Sequence, residues 1–131
     1  MTTVITFGTF DVLHVGHLRV LARSRELGDR LVVGVSSDAL SFAKKERYPV
    51  FSQHERSELI ANLKCVDEVF VEESLELKRD YVQRYAADVL VMGDDWAGKF
   101  DDLADICKVV YLPRTPSVST TAVIEKIAGM V

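Results

Sequence analysis

Apolar residues gather in five short runs, at 4–7, 31–36, 68–71, 89–92 and 109–112, each rich in β-branched side chains and apolar at neighbouring rather than alternate positions. Such runs predict strands buried on both faces. The stretches between them carry helical periodicity, so the chain reads β-α-β-α-β-α-β-α-β-α. That order predicts a single-domain, doubly wound, Rossmann-like α/β fold: a five-stranded parallel sheet with helices on both faces. Local signals set the helix ends. Gly28 closes a first helix over 15–27 and Gly129 closes the last one. Ser52 and Glu55 form an S-x-x-E capping box that opens a helix ending near Lys64. The stretch 41–51, with Lys44, Lys45, Arg47 and Pro49, reads as a mobile basic loop.

At 131 residues the chain has room for one core, and 48% hydrophobic content fills it without a disulfide or structural metal. One domain over 1–131 is expected. The formal net charge of -4 argues against a nucleic-acid partner held by a broad basic face, so any anion site must be local. Cys65 and Cys107 form no C-x-x-C pair and read as packing residues. The N-terminus lacks a basic n-region and a long apolar h-region, and the apolar runs are far below the roughly 20 residues that span a bilayer. A soluble, cytoplasmic protein without a membrane partner is expected.

In open α/β sheets ligands bind beyond the carboxyl ends of the strands. The segment after the first strand, Gly8-Thr9-Phe10-Asp11-Val12-Leu13-His14-Val15-Gly16-His17, places two histidines three apart at a helix start. Both imidazoles then lie on one face of the first turn and reach one ligand. Helix N-terminal amides favour an anion there, Gly8 and Gly16 let backbone come close to a phosphate, and Asp11 caps backbone amides. Imidazole N–H groups follow charge onto phosphate oxygens, and protonation near neutral pH is accessible beside a polyanion. A zinc pair and a satisfied core histidine are the alternatives, and His54 reads as exposed. After the fifth strand, Arg114-Thr115-Pro116-Ser117-Val118-Ser119-Thr120-Thr121 is rich in hydroxyls and opens a helix with Ser119 as N-cap. This is a second anion cradle or ordinary capping. Two cradles on one rim match the length of a triphosphate, with Lys44, Lys45 and Arg56 neutralising it or standing as solvated charges. Neither a Walker loop nor a G-x-G-x-x-G fingerprint is present, and no nucleophile lies beside a base. Catalysis by positioning and charge stabilisation, as in phosphoryl or nucleotidyl transfer, is the remaining chemistry.

GTFDVLHVGH at 8–17 together with RTPSVSTT at 114–121 resembles the cytidylyltransferase family, within the larger H-x-G-H nucleotidyltransferase superfamily. VMGDDWAGKF at 91–100 is similar to the branch that uses glycerol 3-phosphate, and the similarity runs over essentially the whole chain. The resemblance implies that CTP and sn-glycerol 3-phosphate give CDP-glycerol and pyrophosphate in a homodimer, with Mg²⁺ on the triphosphate and no protein side chain as metal ligand. It implies that His14 and His17 stabilise the transition state at the α-phosphorus. Gly8, Thr9 and Phe10 would lie along the nucleotide, and Lys44 or Lys45 would reach the transferring group. Arg114, Ser119 and Thr120 would hold the β- and γ-phosphates beside Thr115 and Thr121. Asp94 would accept from the cytosine amino group and repel a uracil carbonyl. Asp38, Lys45, Arg56, Lys64 and Leu75 fall on the acceptor side, with Asp11 and Gly16 structural. The chain departs from the family pattern at Lys64, where Arg is usual, at Leu75, where an aromatic is usual, and at Pro116-Ser117, where Glu-Gly is usual. The alternatives are a relative using ATP or another phosphorylated alcohol, and a silent nucleotide-binding module. A CDP-glycerol product would suit teichoic-acid or capsule polymers.

Overall fold

Five parallel strands lie in the order β3-β2-β1-β4-β5 in the structure, a computed structural model that describes residues 1–115 and 118–131. They are β1 (Thr3–Gly8), β2 (Arg30–Ser36), β3 (Glu68–Glu72), β4 (Val89–Gly93) and β5 (Lys108–Leu112). The five predicted runs are all present, each extended by a residue at one end or both. In β1, Val4 enters one buried cluster with Leu21, Leu31 and Ile60, while its neighbour Ile5 enters another with Tyr81, Val82 and Leu90. Successive side chains point to opposite faces of a sheet, which is why a strand covered on both sides is apolar at every position.

The helices are α1 (Val15–Arg25), α2 (Asp38–Lys45), α3 (Gln53–Ala61), α4 (Lys78–Arg84) and α5 (Thr120–Ala128). Ser52 caps α3 by accepting from the Glu55 amide at 3.2 Å and Ser119 caps α5 by accepting from the Ala122 amide at 3.0 Å. The basic stretch is half helical. Ser37 caps α2, which runs through Lys45, and only at Glu46 does the chain turn left-handed (φ 58°) and leave the helix. The connection from β4 to β5 is not the expected α-helix but two 3₁₀ segments, Asp94–Trp96 and Asp101–Asp105. Gly98 between them has φ +82°, a value that ends any helix, and neither remaining piece is long enough to nucleate one.

From β1 the chain crosses through α1 to β2, while β4 pairs with the other edge of β1. The crevice where the crossing direction reverses lies at the carboxyl ends of β1 and β4. Residues 8–17 and 93–96 emerge into it.

Candidate active site

Between β1 and α1 the backbone bends sharply, with Phe10 (φ 54°) and Val12 (φ 50°) both in the left-handed region. Each costs about 1–3 kcal/mol, which the surrounding packing offsets. The glycines make this bend possible in a way the sequence does not show. A Cβ on Gly8 would stand 2.8 Å from the Phe10 ring, and one on Gly16 would stand 2.8 Å from the His14 ring. Side chains occupy the space that a Cβ would take at both glycines, while the glycine backbones themselves line the clefts.

His14 is the N-cap of α1, and its Nδ1 accepts from the Gly16 amide at 3.0 Å. His17 reaches back, and its Nδ1 accepts from the His14 amide at 3.2 Å. A pair of imidazoles thus does what Ser and Glu do in an ordinary capping box. The rings stack with centroids 3.8 Å apart and planes 20° from parallel. Because both Nδ1 atoms accept, each neutral ring carries its proton on Nε2. The two Nε2 atoms converge on one oxygen, the Thr120 hydroxyl, 3.4 Å from each. That hydroxyl donates to the Asp11 carbonyl at 2.9 Å, which ties the start of α5 to the start of α1.

Burial pushes the His17 imidazole down to about 4, helped by His14 and Lys45 and opposed by Asp11. Burial lowers His14 as well. In the ligand-free protein both rings are therefore neutral donors near pH 7. The consequence for stability follows from linkage. Below the unfolded value of 6.5 the unfolded chain takes up a proton at His17 that the folded chain refuses. His17 therefore costs nothing above that pH and up to about 2–3 kcal/mol as pH falls towards 4. Urea midpoints between pH 7 and pH 4.5 should drop more steeply in the parent than in His17→Gln; equal slopes would contradict this.

Two adjoining clefts open over this point. The larger, about 520 Å³, is lined by Gly8, Thr9, Asp11, Lys44, Trp96 and others. The smaller, about 250 Å³, is lined by His14, Gly16, Arg114, Thr115, Ser119 and Thr121 among others. Phe10, His17, Lys45 and Thr120 line both. In the larger cleft the half-buried Lys44 ammonium donates to the Ser36 hydroxyl at 3.0 Å. Arg114 is exposed and spans the rim to Asp95, 3.3 Å away. The Thr115 hydroxyl is buried with no partner among the described residues. Hydroxyls, amides and cations on one side and paired imidazole donors in the middle suit a long polyanion.

The family model described as cytidylyltransferase-like matches residues 5–126. The chain belongs to the cytidylyltransferase-like family. It is 47% identical over 130 residues to a glycerol-3-phosphate cytidylyltransferase of Bacillus subtilis, covering 99% of this chain and all of that one. A protein of the same name from Staphylococcus aureus is 40% identical, covering 98% and 97%. Among solved structures, a lipopolysaccharide core biosynthesis protein from Thermoplasma volcanium superposes with a TM-score of 0.75 at 29% identity, covering 88% of this chain and 98% of that one.

Within this cytidylyltransferase-like site some residues expected at the ligand hold the walls instead. Arg56 is wholly buried, and its guanidinium donates to the Phe51, Thr9 and Ser36 carbonyls and to Asp38 Oδ1 at 2.8–3.0 Å. Expected on the acceptor side, it is in fact a brace, and Asp38 is its partner. The buried Asp11 carboxylate accepts from the Val50 and Phe51 amides at 2.7 and 3.0 Å. Lys64 is exposed in the connection leading to the start of β3, and so lies at the opposite end of the sheet. Within one chain the strand length alone, about 15 Å, separates it from the cleft, which corrects its placement at the acceptor. Leu75 opens a 3₁₀ turn just after β3 and is half-buried. Asp94 is exposed at the start of the next such turn, and its neighbours Gly93, Asp95 and Trp96 line the cleft. The Pro116-Ser117 step lies outside the described residues.

No three His, Cys, Asp or Glu side chains group as a metal site among the described residues, and no helix among them is long and apolar enough to cross a membrane. The sequence reading overlooked Ser36, Glu72 and Lys78, which join behind Lys44. Glu72 ends β3, Ser36 ends β2 and Lys78 opens α4, so the carboxyl ends of β2 and β3 are the signal that points to two of the three.

Proposed function

We propose that this chain transfers CMP from CTP to sn-glycerol 3-phosphate, giving CDP-glycerol and pyrophosphate. The observation that carries the reading is its 47% identity, end to end, to an enzyme of that name. A phosphate oxygen of the acceptor attacks the α-phosphorus in line as the bond to the β-phosphate bridging oxygen breaks. No covalent enzyme intermediate forms. His14 and His17 meet the α-phosphate with their Nε2–H donors, which take the place of the Thr120 hydroxyl contact and strengthen as charge builds on the phosphoryl oxygens. Arg114 leaves Asp95 for the β- and γ-phosphates, where the amides and hydroxyls at the start of α5 join it. Lys44 offers its charge from the larger cleft to the phosphate groups being joined. Mg²⁺ carried on the triphosphate of CTP would be held by phosphate oxygens, which are hard ligands, and would supply charge neutralisation at the pyrophosphate. The working form is taken to be a cytoplasmic homodimer, its product serving teichoic-acid or capsule polymers.

Pyrophosphate release from CTP, UTP and ATP, each with glycerol 3-phosphate, ribitol 5-phosphate and phosphocholine, tests the reading. CTP with glycerol 3-phosphate should exceed every other pair; a preference for ATP or for another acceptor would overturn it. Base choice is assigned to Asp94. Asp94→Asn should reduce the CTP-over-UTP ratio of kcat/KM by about 5- to 150-fold, equivalent to about 1–3 kcal/mol. Asp95→Asn is the control, and an unchanged ratio in Asp94→Asn would pass the role to backbone groups.

A further inference from the structure

Behind the larger cleft a charged chain runs through the sheet. Glu72, the last residue of β3, is 1% exposed. Its Oε2 accepts from the buried Lys78 ammonium at 2.6 Å, and its Oε1 accepts from the Ser36 hydroxyl at 3.3 Å. Ser36, at the end of the neighbouring strand β2, is itself fully buried and receives the Lys44 ammonium at 3.0 Å. Lys78 is fixed from the other side, 3.8 Å from the centre of the Phe7 ring. Glu72 is thus held in one place by two partners.

A buried carboxylate is costly and is retained only with partners that need its charge. Lys78 alone is sufficient to neutralise it. The second oxygen nevertheless faces the hydroxyl that receives Lys44, the one lysine of this chain of contacts that lines the cleft. We propose that Glu72 is a positioning residue of the transfer reaction, which through the Ser36 hydroxyl holds the Lys44 ammonium in place and charged at the cleft wall. The inference deepens the proposed function and rests on Lys44 touching the phosphates there. The charged groups facing Lys44 are Glu72 from β3, Lys78 from α4, its neighbour Lys45 and Arg56 from α3, and Arg56 is already paired with Asp38. Burial lowers the Lys44 ammonium, and Glu72 is the group that counters this. Without the carboxylate, burial and three cations would all favour losing the proton.

The test compares Glu72→Gln, Ser36→Ala, Lys44→Ala, Lys44→Arg and the combinations of Glu72→Gln with each Lys44 variant. Steady-state kinetics with CTP and glycerol 3-phosphate are run from pH 6 to 10, with urea unfolding of every variant. Glu72→Gln should lower kcat/KM about tenfold or more and move its alkaline limb about one unit towards lower pH. In the Lys44→Ala background the same change should cost less than about twofold, and with Lys44→Arg, whose charge does not titrate in this range, the limb should not move. Ser36→Ala cuts the link without disturbing the Glu72–Lys78 pair, so it should also lower kcat/KM if Glu72→Gln fails to fold. An impaired Lys44→Ala combined with an unchanged profile in Glu72→Gln, or an equal loss from Glu72→Gln in both backgrounds, would overturn the positioning role alone. Normal turnover by Lys44→Ala would remove the assigned role of Lys44 and this inference with it.

Discussion

Replacing His14 or His17 with asparagine should lower kcat about 10²-fold or more while leaving the fold intact. Asparagine serves well as an N-cap, so at position 14 it can take over acceptance from the Gly16 amide that His14 Nδ1 now performs at 3.0 Å. What it does not supply is a donor at the place of Nε2, where both rings converge on a single oxygen. Losing one preorganised donor to developing charge costs about 10² to 10³ in rate. The alanine variants should lose similar activity and about 1 kcal/mol of stability besides, because they also remove a cap. Measuring kcat and the urea midpoint on all four variants separates the two roles. Near-normal turnover in both asparagine variants would remove the histidines from the chemistry, and unfolding in both would reduce them to structural caps.

Arg56→Met should cost about 3–5 kcal/mol of folding stability, the largest loss expected from any single change in the charged residues around the cleft. The wholly buried guanidinium gathers three backbone carbonyls and the Asp38 carboxylate. Methionine keeps much of the volume and leaves those acceptors without donors, in a place where water does not reach them. Arg56→Lys should recover only part of the loss, since one ammonium does not reproduce a planar fork that ties the residue after β1, the end of β2, the start of α2 and the approach to α3 together. Urea unfolding at pH 7 checks this, and a loss below about 1 kcal/mol would return Arg56 to the solvated or ligand-facing role that its sequence position suggests.

Arg56 also shows where reading the sequence stops. Its neighbours in the chain are polar, and nothing local distinguishes a buried brace from a surface cation; its partners lie up to 47 residues away. The strands, by contrast, were legible because their burial on two faces writes an unbroken apolar run. The histidine pair was legible because an i, i+3 spacing at a helix start fixes a shared face. Its proton placement was not, since that depends on which backbone amides the Nδ1 atoms meet. The fourth crossover was misread as an α-helix because Gly98 acts through its positive φ rather than through the apolar pattern. Lys64 was placed by resemblance at a position that the topology puts at the far end of the sheet. Glu72 escaped notice because a single glutamate ending a strand gives no signal until Ser36 and Lys78 are seen on either side of it.

The central claim is that an acceptor phosphate oxygen forms the new bond to the α-phosphorus of CTP while pyrophosphate leaves with its own bridging oxygen. Phosphorus NMR of the products formed from Mg²⁺-CTP and glycerol 3-phosphate labelled with ¹⁸O on its phosphate tests it most directly. The account predicts CDP-glycerol and pyrophosphate in equal amounts, one ¹⁸O in the new bridge between the two phosphorus atoms, and pyrophosphate free of label. Label in the pyrophosphate, an unlabelled bridge, or CMP and pyrophosphate formed without acceptor would contradict it.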